Sequence, residues 1–83
     1  HKGELIMPHI IVKLYPGRSD EQKQILTDKI TKTLIETIDV EEKSISVAFE
    51  EVSPEMWKEK VYEPDIISKE KTLTKKPGYN MDL

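Results

Sequence analysis

Cysteine is missing altogether from this 83-residue chain, arginine occurs once, at Arg18 against twelve lysines, and histidine twice, at His1 and His9. Without cysteine there is no disulfide, no thiolate nucleophile and no sulfur-ligated zinc site. Two histidines with no His-x-x-x-His or carboxylate-histidine spacing build no metal motif, and three glycines form no phosphate-cradling loop, so neither metal nor cofactor is expected. A long hydrophobic run is also lacking: nothing approaches the ~20 residues of a membrane span, and the leading HKGELI is too short and polar for a signal peptide. Nor is there a basic face, because sixteen acids intermix with thirteen bases for a net charge of −3. Nucleic acid and anionic membrane are thereby excluded as main partners, and the charged stretches read as solvated helix faces. The expected location is the cytoplasm.

A chain of 83 residues makes one small domain and buries only about 60–65% of the surface its unfolded form exposes. With disulfides and structural metal both excluded, oligomerisation is the support that remains.

What is present has a short grammar. The stretch 9–15 (HIIVKLY) is β-branched and aromatic, and its Ile-Ile-Val centre predicts a strand covered on both faces, ended by Pro16-Gly17. Ser19 and Gln22 form a capping box, with Asp20 and Glu21 in the first helical turn. Leu26, Ile30, Leu34 and Ile38, joined by Ile25 and Ile35, mark an amphipathic helix to about Ile38. The stretch 44–52 alternates Ile45, Val47 and Phe49 against Ser46, Ala48 and Glu50, which predicts a second strand. Strand, long helix, strand is a βαβ unit with parallel strands and a right-handed crossover. Ser53-Pro54-Glu55 opens a short helix through Tyr62, Pro64-Asp65 opens another, and 76–79 (KPGY) turns the chain. The fold class expected is α+β: a two-stranded parallel sheet, one long crossover helix and short C-terminal helices. Two strands are too few to stand alone, so a second subunit is expected to complete the sheet.

Taken singly, the unusual residues have bland readings: Pro8 as an edge-strand proline, Arg18 as a solvated turn residue, Trp57 as a core or interface aromatic, His9 as an outer-strand residue. Their joint spacing reads differently. Pro8, then Arg18 within the run 16–23 (PGRSDEQK), then a helix and the strand beginning SISV at 44, resembles the 4-oxalocrotonate tautomerase family. Glu55-Met56-Trp57 and the tail 75–81 (KKPGYNM) are more similar to its longer-chain subgroup, which includes a bacterial phenylenolpyruvate tautomerase.

The resemblance implies a cofactor-free isomerase. The initiating methionine, here Met7, is removed, and the exposed secondary amine of Pro8 becomes the general base that moves a proton between oxygen and carbon of an enol. A terminal amine titrates at about 7.7–8.0, and partial burial and a nearby cation both favour its neutral form. Arg18 is implied as that cation and as the bidentate holder of the substrate carboxylate. Trp57 falls where the family has an aromatic pocket wall. The founding enzyme, which isomerises a dicarboxylate, carries a second arginine where this chain has Ser46; a hydroxyl can bind a carbonyl or enol oxygen but cannot neutralise a second carboxylate. The expected substrate is therefore a 2-oxo monocarboxylate such as an arylpyruvate, with Lys75 or Lys76 as candidate replacements for the missing cation.

Residues 1–7 are expected to be an upstream extension plus the initiator Met, and 8–83 the single tautomerase-like domain. As an internal residue Pro8 has a tertiary amide nitrogen that is neither basic nor available, so a chain carrying HKGELIM should be inactive or impaired. The extension reads either as a remnant of expression or as translation from upstream of the true start; Lys-Gly-Glu can be encoded by AAA-GGA-GAA, which contains a ribosome-binding sequence, and genomic nucleotides lacking that purine run would exclude the second origin. Two functions follow: keto-enol tautomerisation by Pro8 with Arg18, or a non-catalytic oligomeric binding module on the same fold. Either is expected to be a homo-oligomer, with a dimer favoured over a hexamer.

Overall fold

The structure, a computed structural model, describes residues 6–81; the expected extension falls outside them apart from Ile6 and Met7, as does His1. The chain runs through strand β1 (His9–Leu14), helix α1 (Asp20–Ile38) and strand β2 (Ser46–Glu51), with a 3-10 turn (Glu42–Ser44) before β2. The strands pair in parallel, His9 opposite Ser46 through Leu14 opposite Glu51. The βαβ reading and its parallel sheet are thus present.

Local chemistry explains the boundaries. Gly17, at φ 125°, makes the turn out of β1, a backbone angle that L side chains rarely adopt. The capping box then forms in full: the Ser19 hydroxyl accepts from the Gln22 amide at 3.0 Å, and the Gln22 side chain accepts from the Ser19 amide at 2.9 Å. Asp39 ends α1 in the left-handed region at φ 55°, which short polar side chains tolerate. Met7 is also left-handed, at φ 57°, an unfavourable state for the residue before a proline; the chain ahead of Pro8 therefore turns off the line of β1.

The two faces of the sheet have different covers. Pairing register and pleat put Ile10, Val12, Leu14, Val47, Phe49 and Glu51 on one face. That face lies toward α1, and Lys23 of α1 meets Glu51 at 2.6 Å. His9, Ile11, Lys13, Ser46, Ala48 and Glu50 share the other face. Only its C-terminal half is covered within the chain, so Ile11 remains 46% exposed. The expectation that the Ile-Ile-Val centre is covered on both sides is met on the helix side alone.

The C-terminal segment departs from its expected two helices. A turn of α-helix, α2 (Pro54–Trp57), continues without interruption into a π-helix (Lys58–Ile67) that contains Pro64, followed by a 3-10 turn (Glu70–Thr72). Proline stops an α-helix by clashing with the carbonyl four residues back; the wider winding, with bonds five residues apart such as Ser68 N–H to Glu63 O at 3.0 Å, accommodates it. The inward positions consequently recur at Trp57, at Val61 and Tyr62, and at Asp65 and Ile66. Val61 and Tyr62, 4% and 3% exposed, form the core with Val40.

Candidate active site

At the C-terminal end of β1 the chain encloses a cleft of about 830 Å³, lined by Lys13, Tyr15, Arg18, Trp57, Tyr79 and Met81 among others. The elements converge there for separate reasons. Pro16 and Gly17 turn the chain so that Arg18 sits just ahead of the capped end of α1. Helix α2 and the returning tail bring Trp57 and Tyr79 over the end of the strand.

Three rings set the wall. Tyr15 and Trp57 stack edge to face, centroids 5.1 Å apart at 88°, and the Trp57 indole N–H donates to the Tyr79 hydroxyl at 3.0 Å. Tyr62 also packs against Tyr79, with ring centroids 5.8 Å apart. Two cations reach the cleft, and they differ. Lys13 Nζ donates to Asp65 Oδ2 of the π-helix at 2.5 Å and lies 3.9 Å from Glu50 Oε1. The hydrogen bond to Asp65 raises the Lys13 pKa above its ordinary 10.5 against an opposing desolvation, with the charges of Asp65 and Glu50 acting in the same upward direction. The stability that comes from holding Lys13 protonated is therefore present below pH ~10.5 and lost as pH rises through the higher folded value. Arg18, by contrast, is exposed and has no carboxylate partner among the described residues. An unpaired guanidinium beside an aromatic wall is suited to a carboxylate attached to an aromatic or apolar body.

The sequence-derived site residues fall into two groups. Arg18 and Trp57 share the cleft. Pro8 and Ser46 lie at the opposite end of the sheet, where the Ser46 amide donates to the Pro8 carbonyl at 3.2 Å and the Ser46 hydroxyl meets His9 Nδ1 at 2.7 Å. The six-residue strand between them spans roughly 20 Å at ~3.3 Å per residue, so one chain does not bring Pro8 and Arg18 together. Lys75 and Lys76 do not line the cleft, and Lys76 lies 3.8 Å from Glu70. The second cation there is Lys13, which sequence reasoning passed over along with Tyr15 and Tyr79. A lone charge in the apolar run 9–15 was the available signal for Lys13; Tyr79 gave none, since its place depends on how the tail returns. Among the described residues no group of three or more His, Cys, Asp or Glu is placed to hold a metal ion, and no helix is long and apolar enough to cross a membrane.

Comparison with known proteins agrees with this architecture. The family model described as "Tautomerase enzyme" matches residues 8–59. Tautomerase PptA of Cronobacter sakazakii is 45% identical over 76 residues, covering 90% of this chain and all of that protein. Tautomerase PptA of Pectobacterium atrosepticum is 44% identical over 75 residues, 89% of this chain and 99% of the relative. Among solved structures, YwhB, a homologue of 4-oxalocrotonate tautomerase, superposes with a TM-score of 0.54 at 41% identity, covering 55% of this chain and 75% of its own.

Proposed function

This chain belongs to the tautomerase enzyme family, and on that premise we propose that it is an isomerase that interconverts the enol and keto forms of a 2-oxo monocarboxylate, an arylpyruvate in particular. The observation that carries the substrate class is the Arg18 guanidinium, without a carboxylate partner among the described residues, in a cleft walled by Tyr15, Trp57 and Tyr79. The carboxylate takes both arms of the Arg18 fork, and the aryl group lies against the rings. No cofactor takes part.

The base is the Pro8 amine, freed by removal of Met7. It takes the proton from the enol oxygen, and the ammonium so formed delivers a proton to the neighbouring carbon, leaving the ketone and regenerating the neutral amine. Because the length of β1 separates Pro8 from Arg18 within a chain, the Pro8 that serves one cleft comes from a second copy. Ser46, held by His9 beside Pro8, then faces the enol oxygen as a hydrogen-bond donor. The open half of the sheet, where Ile11 is exposed, is the surface on which copies meet. The alternative is a non-catalytic oligomeric binding module on the same fold, with Pro8 kept internal or Ser46 marking a lost site.

The test is ketonisation of phenylpyruvate enol, followed by ultraviolet absorbance, for protein begun at Met7 with its terminus confirmed by intact mass, beside the 83-residue form. Activity confined to the processed protein is the expected result. Equal activity in both excludes Pro8 as the base, and none in either leaves the binding module.

A further inference from the structure

Lys13 is a cation placed in a carboxylate-binding cleft and then cancelled. Its ammonium meets Asp65 at 2.5 Å and Glu50 at 3.9 Å, with the Lys13 and Asp65 side chains each only 29% exposed. Two carboxylates on one ammonium make the local charge negative at the strand side of a cleft whose other cation among the described residues is Arg18. We propose that Asp65 determines the charge specificity of the cleft: by pairing with Lys13 it leaves Arg18 as the single cation available to a ligand, so the cleft accepts a monocarboxylate and turns away a dicarboxylate. The inference rests on reading the cleft as the carboxylate site of a 2-oxo acid.

The physical reason is desolvation. A second ligand carboxylate entering beside Leu14, Tyr15 and Met81 leaves water for an apolar wall and requires a compensating positive charge there. Lys13 would supply it only by giving up a short, part-buried pair, whose loss strands the Asp65 carboxylate. The pair holds across the neutral range, since the same hydrogen bond raises the Lys13 pKa. The discrimination therefore does not depend on pH near 7. Asp65, eight residues beyond Trp57, lies on the inward side of the π-helix, within reach of Lys13.

Binding is measured on the full chain through the indole N–H resonance of Trp57, the sole tryptophan, with phenylpyruvate and its 4-carboxy derivative, which share a ring and differ by one carboxylate. Wild type is expected to prefer phenylpyruvate at least tenfold. Asp65→Asn should lower that preference at least tenfold, and Lys13→Gln combined with Asp65→Asn should restore it, which a merely structural strut would not do. An unchanged preference in folded Asp65→Asn, or a relaxed one that survives loss of Lys13, overturns the proposal. Should Asp65→Asn not fold, Glu50→Gln, which relieves Lys13 without touching the π-helix, must shift the preference in the same direction by a smaller factor; no shift overturns it. Binding with the expected selectivity but no turnover by the processed protein sinks the tautomerase reading and leaves the charge selection standing, whereas no binding of either acid to any variant sinks both.

Discussion

Among the described residues no carboxylate answers the guanidinium of Arg18, the only arginine in the chain, and on the proposed reading it is the group that binds substrate. Its planar fork distinguishes it from the lysines: a Lys at the same place keeps the charge but loses the bidentate geometry. Arg18→Ala is expected to lower kcat/KM for phenylpyruvate enol by more than tenfold, with Arg18→Lys between it and wild type, in steady-state assays of the processed protein. Unchanged kinetics would remove Arg18 from the site. At this scale the sequence was partly legible: Arg18 stood out as a singular residue in a strand-to-helix turn, whereas Lys13 was one of twelve lysines. What sets Lys13 apart is a partner 52 positions away, Asp65, and no local pattern encodes that pairing.

The elements divide by how local their causes are. Helix α1 is specified by neighbours in sequence: both halves of the Ser19–Gln22 box form, and Asp20 and Glu21 complement the positive end of the helix. Ser19→Ala should destabilise the protein by about 1 kcal/mol, read as a lower denaturation midpoint at fixed protein concentration; a midpoint equal to wild type would show that the cap is not limiting. The π-helix has no such local cause. Pro64 in sequence signals a break, and the wide winding that carries the chain past it is selected by what it buries, Val61 and Tyr62 inward and Asp65 against Lys13. The same winding decides which residues turn inward, so an α-helical spacing rule applied to this segment misassigns them.

As a whole molecule, one copy is extended for its length. Its radius of gyration is 15.0 Å with extents of 47 × 32 × 18 Å, against about 12 Å for a compact chain of this length. Its accessible area is 6659 Å², against about 5,100 Å² for a monomer of this size. The excess is larger than the ~800 Å² that each partner contributes to a standard interface. Ile11, Ile25, Leu26, Ile35, Ile38 and Ile67 all stand exposed. Sedimentation of the processed protein at micromolar concentration should give a multiple of the monomer mass, a dimer being favoured. Ile11→Glu, which sets a charge on the open sheet face, should shift it to monomer and abolish turnover while the isolated cleft still binds phenylpyruvate. A wild-type monomer that is fully active would overturn both the assembly and the supply of Pro8 from a second copy.

The amino-acid sequence by itself determined the βαβ unit and the capped start of α1, because periodicity and capping act over a few residues. It also marked Pro8, Arg18 and Trp57. Only the tertiary structure decided that Arg18 and Trp57 share a cleft with Tyr15 and Tyr79 while Pro8 and Ser46 lie a strand's length away. The same holds for the cancellation of Lys13 by Asp65. Those outcomes depend on where a π-wound helix and a returning tail come to rest on the sheet, and that is set by packing and by charge pairing between segments far apart in the chain.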